Sequence, residues 1–151
     1  MTLTQKETDL LKDLRDEENL CIEKYTRAAE KAHDAQLKNL FTDIATAERG
    51  HLDTLNQIGA GNVPTQNSSG SSPLENKTFT QNYTSESPEK KDDCFLCTDL
   101  LTTEKHASSL YDTCIFEFAD KNARDCLNSI QKQEQLHGKL IYDYMSANGM
   151  Y

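Results

Sequence analysis

The chain has 151 residues, with 25 acidic against 16 basic side chains and a formal net charge of −9. That length suffices for one domain with a sizeable core, and the acidic balance argues against nucleic acid or an anionic membrane surface as partner. No apolar run is long enough for a signal peptide or a transmembrane helix, so a protein kept in the cytosolic compartment where it is made is expected. Five cysteines, an odd number, argue against a disulfide framework in such a compartment. The glycosylation-type matches at Asn67, Asn76 and Asn82 carry no weight without a secretory context.

Thr4-Gln5-Lys6-Glu7 has the form of a capping box, which predicts a first helix starting near residue 5. Its small and apolar positions are Leu11, Leu14, Cys21, Tyr25, Ala28 and Ala32, at alternating steps of three and four. Glu18 interrupts that seam while staying in register. The helix should end around His33-Asp34. A second helix follows almost at once, with the seam Leu37, Phe41, Ile44, Glu48, His51, Leu55 and Ile58, and Gly59 is its expected stop.

Residues 59–92 differ in character. All three prolines, Pro64, Pro73 and Pro88, fall here among Ser, Thr, Asn, Gln and Gly. Such a stretch has too little apolar surface to fold alone, and reads as a long crossover along a bundle. The distance to be covered is about 45 Å for a 30-residue helix at ~1.5 Å per residue. Phe79 and Tyr83 are candidates to pin its middle to the bundle. Ser87-Pro88 supplies an N-cap and a first-turn proline for the third helix. Its seam is Cys97, Leu100, Glu104, Ala107, Tyr111, Cys114 and Phe118. The fourth helix begins after Asp120 and carries Ala123, Leu127, Ile130, Glu134, His137, Ile141 and Tyr144, ending at Asn148-Gly149. The fold class is all-α: an antiparallel four-helix bundle of two hairpins, 4–58 and 93–148, joined by the crossover 59–92.

The two hairpins repeat one another. Glu18, Tyr25, Glu48 and His51 recur as Glu104, Tyr111, Glu134 and His137 at a constant offset of 86. A Glu three residues before a His on a helix puts both side chains on one face, one turn apart. Four seams therefore deliver four carboxylates and two imidazoles to one level of the core. Buried carboxylates without partners are very costly, and four together repel one another. Two divalent cations would balance four carboxylates and two neutral imidazoles. Hard oxygens with two imidazoles suit iron or manganese, and zinc can be accepted.

The Glu-x6-Tyr followed by Glu-x-x-His, twice over, resembles the ferritin-like superfamily of di-iron and di-manganese carboxylate proteins, rubrerythrin in particular. That resemblance implies a ferritin-like fold with Glu48 and Glu134 bridging two metals and Glu18 and Glu104 as terminal carboxylates. It implies one metal each for His51 and His137, with Tyr25 and Tyr111 donating hydrogen bonds to ligand carboxylates. The C-terminal part is similar to the spore coat protein F (Coat F) family. The residues that carry this are Asp99 to Tyr111, Glu134-Gln-Leu-His137 and the ending Tyr142-Asp-Tyr-Met145-Ser-Ala-Asn-Gly149-Met-Tyr151. It implies association with the endospore coat of spore-forming Firmicutes, with other coat proteins as partners. Base rates for oligomers add a homodimer.

There are departures from the rubrerythrin pattern. Ala107 stands where that family has a further carboxylate, and Cys94-Phe-Leu-Cys97 is one cysteine pair where its rubredoxin-like domain has two. Any reductant would have to be a separate molecule. Cys97 lies on the seam and reads as a small buried thiol, as do Cys21, Cys114 and Cys126. His33 and His106 lie off the seam, on the solvent side. Gly50 and Gly138 suggest close backbone packing near the two histidines, since glycine inside a helix costs about 1 kcal/mol against alanine. Two functional readings stand: a coat-associated bundle whose metals replace part of the apolar core, and a di-metal oxidoreductase acting on peroxide or dioxygen. A third arrangement, in which the six groups hydrogen-bond to one another and to water with no metal, is the alternative to both.

Overall fold

The computed structural model of the chain describes residues 1–65, 72 and 74–151. Among the described residues four helices run in order: α1 (Gln5–Lys31), α2 (Ala35–Gly59), α3 (Pro88–Glu117) and α4 (Lys121–Ala147). No strand occurs among the described residues, and none of their helices is long and apolar enough to cross a membrane. Asn67 and Pro73 lie outside the described residues.

Each helix start is capped by the side chain that the sequence offers. Thr4 Oγ1 accepts the Glu7 N–H at 3.1 Å while Glu7 Oε1 accepts the Thr4 N–H at 2.8 Å, a reciprocal capping box. The other Glu7 oxygen accepts the Ala119 N–H at 3.0 Å, so the same cap ties α1 to the turn between α3 and α4. Ser87 and Asp120 cap α3 and α4, and Pro88 occupies the first turn of α3. Gly149 closes α4 with φ of +66°, a left-handed conformation that glycine reaches without strain.

Two boundaries differ from the sequence expectation. Helix α1 ends at Lys31, and Asp34 belongs to α2, whose N-cap it is through the Gln36 N–H. Helix α2 ends at Gly59 as expected, although the positive φ falls at Gly61 (+84°). What Gly59 provides is room: a Cβ there would lie 2.8 Å from Arg15 Nη1 and 3.3 Å from Leu11 Cδ2. Helix α3 also starts at Pro88, so the second hairpin begins five residues before position 93.

Helices α1 and α2 form one hairpin and α3 and α4 the other, and α1 also packs on α3. Tyr25 meets Glu104 while Glu18 meets Tyr111, so α1 and α3 run antiparallel. Gly59 lies beside the start of α1, whereas α3 begins beside its end, where Asp93 meets His33 and Asp34. The crossover must therefore travel the length of the bundle.

Its second half is held by named contacts. Leu74 is buried in the core, and Phe79 packs edge-on against Tyr144 with ring centroids 5.7 Å apart. The Asn82 and Tyr83 N–H groups donate to Asn148 Oδ1, and the Tyr83 hydroxyl donates to Asp93 Oδ2 at 2.6 Å. Asp93 also accepts the N–H of His33 and of Asp34 at 2.9 and 3.0 Å, and it has no exposed surface. One buried carboxylate thus joins the α1–α2 turn, the crossover and α3.

Candidate metal centre

The apolar core is not continuous. One cluster includes Tyr25, Phe41, Ile44, Leu100, Ile141 and Tyr144; the other includes Leu11, Leu14, Leu55, Ile58, Phe118 and Leu127. Glu18, Glu48, Glu104 and Glu134 lie in the layer between them, with His51 and His137, and none is more than 4% exposed. Each sits at the seam position its helix assigns. α1 and α3 each give one Glu, and α2 and α4 each give a Glu and a His one turn later. All six residues singled out from the sequence for this site come together.

They form two overlapping groups, Glu18, Glu48, His51 and Glu134, and Glu48, Glu104, Glu134 and His137. Within each group, one potential ligand atom from every residue lies within 4.8 Å of the others. Glu48 and Glu134 belong to both. The two imidazole rings are stacked, 5.8 Å between centroids and 16° between planes. Nδ1 of His51 faces three carboxylates at once: Glu134 Oε1 at 2.9 Å, Glu48 Oε2 at 3.1 Å and Glu18 Oε1 at 3.6 Å. Nδ1 of His137 faces Glu48 Oε1 at 3.0 Å, Glu104 Oε1 at 3.4 Å and Glu134 Oε2 at 3.8 Å.

One ring nitrogen can offer at most one proton, so these acceptors outnumber the donors. His51 Nδ1 has hydrogen-bond geometry toward Glu48, and His137 Nδ1 likewise. Glu134 Oε1 is nearer to His51 but lacks that geometry. Both oxygens of Glu134, and Oε2 of Glu18 and of Glu104, have no hydrogen-bond partner although they are buried. The remaining oxygens of the two outer carboxylates are served crosswise. The Tyr111 hydroxyl of α3 donates to Glu18 Oε1 on α1, and the Tyr25 hydroxyl of α1 donates to Glu104 Oε1 on α3, each at 2.5 Å.

The layer is electrostatically short of positive charge. Burial, followed by the neighbouring carboxylates, pushes Glu48 and Glu134 well above the usual carboxyl range. For Glu18 and Glu104 burial also acts upward. The adjoining carboxyl group, the imidazole and the tyrosine hydroxyl outweigh it and hold both below that range. Burial works against a charged His51, yet the three carboxylates around it raise its pKa well above the ordinary imidazole value. Burial and the carboxylate field push the Tyr25 and Tyr111 hydroxyls up, which keeps them as proton donors.

Gln133 is a contact that the sequence reasoning missed. Its Oε1 lies 2.6 Å from Nε2 of His51. Asp93 was missed too, hidden in the charged run Lys90-Lys91-Asp92-Asp93. His33 and His106 are exposed and away from the centre. Cys97 is buried, and burial raises its thiol pKa; Cys94 is half-buried. Gly50 and Gly138 are a correction. A Cβ at Gly50 would meet nothing within 4 Å, and one at Gly138 would make ordinary contacts at 3.6 Å with Leu101 and 3.9 Å with Glu104. Neither position is a close backbone approach.

Residues 92–151 match the family model of the Coat F domain. The matched stretch holds most of α3 and all of α4, and so contains Glu104, Tyr111, Glu134 and His137. Glu18, Tyr25, Glu48 and His51 precede it. Comparison with curated proteins gives no match, and comparison with solved structures gives none.

Proposed function

We propose that the chain is a ferritin-like protein of the spore coat that holds two divalent cations in the middle of its bundle. The observation that carries the metal reading is the set of four buried carboxylate oxygens without partners, in one layer with two imidazole nitrogens. A protein interior pairs such atoms, so their convergence fits a cation as the missing partner. Glu18 and His51 would serve one ion, Glu104 and His137 the other, and Glu48 and Glu134 would be shared. The donor set suits iron or manganese, with zinc acceptable. The Coat F match supports the coat assignment, with other coat proteins or a second copy of the chain as partners.

When bound, the ions would supply Lewis acidity and, as iron or manganese, one-electron chemistry. The residues themselves do the holding. Tyr25 and Tyr111 fix one oxygen of each outer carboxylate across the α1–α3 interface and leave the other free. The flanking apolar clusters keep bulk water from the layer. All four helices contribute, so occupancy would clamp both hairpins together, which favours a structural role for the metal.

The test is elemental analysis of the purified chain beside a Glu48→Ala/Glu134→Ala variant. About two iron or manganese ions per chain, lost in the variant, are expected. No metal in the native chain, even after reconstitution, would overturn the reading. Peroxide and dioxygen consumption by the loaded chain would move it toward an oxidoreductase.

A further inference from the structure

The two halves of the centre are not equivalent. The offset of 86 maps each of the six charged groups onto its counterpart, but it fails one residue before the glutamates of α2 and α4. Gln133 precedes Glu134, and the corresponding residue before Glu48 is Ala47. Gln133 reaches from α4 to α2, where its Oε1 lies 2.6 Å from Nε2 of His51. Ala47 has no polar atom to return the contact. Among the described residues, no hydrogen bond meets Nε2 of His137.

A neutral imidazole carries a single N–H. A carbonyl oxygen at Nε2 keeps the proton there and leaves the lone pair on Nδ1. In His51, Nδ1 is the atom that faces Glu18, Glu48 and Glu134. A ring that ligates a cation through Nδ1 carries its proton on Nε2, and the Gln133 oxygen is placed to accept that proton and fix the ring's orientation. His137 has no such partner at Nε2 among the described residues, so nothing on that side of the ring favours a free Nδ1. Outer hydrogen bonds of this kind change metal affinity by about 10–100-fold.

We propose that Gln133 is a positioning residue that makes the two cation positions unequal. The position formed by Glu18 and His51 is the tighter and fills first, ahead of that formed by Glu104 and His137. This rests on the metal reading above and goes beyond it by ordering the two ions.

The experiment is a zinc titration of the full, metal-free chain with nitrogen-15-labelled histidine. Ring resonances identify which histidine is ligated at each step, and calorimetry gives the two affinities. In the native chain the Nδ1 resonance of His51 should move in the first step and that of His137 in the second. Gln133→Leu should weaken the first step about 10–100-fold and abolish the order. Gln133→Glu, which keeps an acceptor at Nε2, should restore it, and Ala47→Gln should tighten the second step. Melting of the metal-free Gln133→Glu chain should match the native one, and the Gln133→Leu chain, whose His51 loses its acceptor at Nε2, should melt somewhat lower yet still bind two zinc ions, separating positioning from folding. Two equal steps, or His137 first, would overturn the proposal while leaving the metal centre intact. An unchanged first step in Gln133→Leu would do the same. No zinc bound to the native chain would overturn the metal reading, and this proposal with it.

Discussion

Replacing Glu134 by leucine should stabilise the metal-free protein. Both Glu134 oxygens are buried without partners, and the residue has no exposed surface. A buried acceptor left unsatisfied costs about 1–3 kcal/mol, and burying a leucine side chain contributes about 1.5–3 kcal/mol. Imperfect fit takes some of this back, so Glu134→Leu should gain about 2–4 kcal/mol when a chelator is present, in line with hydrophobic replacement of buried charges elsewhere. The sign should reverse with metal. At a free concentration of about 100 times Kd each site adds about 2.7 kcal/mol, so the two sites that share Glu134 add about 5.4 kcal/mol to the native chain, and the variant loses that gain. Urea unfolding with and without chelator measures both, through midpoints at constant m.

The pH dependence adds a second check on the same variant. The folded pKa values of Glu48 and Glu134 lie above their unfolded ones. Their contribution is therefore fully present below the ordinary carboxyl range and is lost as pH rises through the folded values. His51, also raised, acts in the same direction. The chelated native chain should thus lose stability with rising pH, and Glu134→Leu should flatten that slope. A variant less stable than the native chain in chelator would refute the reasoning, because the carboxylate would then already be satisfied in the metal-free fold.

Other expectations concern the frame around the centre. Gly50→Ala should raise stability by about 0.5–1 kcal/mol in thermal melts, since the helix gains propensity and the new methyl meets nothing within 4 Å. Asp93→Ala strands two backbone N–H groups and the Tyr83 hydroxyl, and should cost about 2–4 kcal/mol. Hydrogen exchange should then quicken at residues 79–83 before the rest. Burial alone would raise the Glu7 pKa, but the Thr4 and Ala119 N–H groups outweigh it and hold it below the ordinary value. Its contribution is present above the unfolded carboxyl pKa and is lost as pH falls through the folded one, and Glu7→Gln should remove that part of the acid-side slope.

Much of the architecture is legible because the helical period and the repeat constrain each other. Glu18, Glu48, Glu104 and Glu134 had to be buried once each lay in register with leucines and isoleucines, and they are. The caps at Thr4 and Ser87, and the start of α4 after Asp120, were readable because a helix start is a local problem with few chemical solutions. Gln133 was not legible. It stands about 100° around the helix from the seam residue Glu134, and only the approach of α2 to α4 turns it toward His51. Asp93 looked like one more solvated acid until the crossover supplied its donors. Gly50 misled because a glycine inside a helix invites a packing reason, and the structure offers none.

The crosswise tyrosines have a consequence for symmetry. Each hairpin carries a tyrosine for the other hairpin's glutamate, so neither is complete alone, while two identical copies would complete one another. A twofold pair of identical hairpins would have the same crossed geometry. In such a twofold pair every substitution appears on both sides at once. Joining the copies through a crossover holds them at high effective concentration and releases them from that constraint. A glutamine before Glu134 and an alanine before Glu48 is a difference that two identical hairpins could not keep.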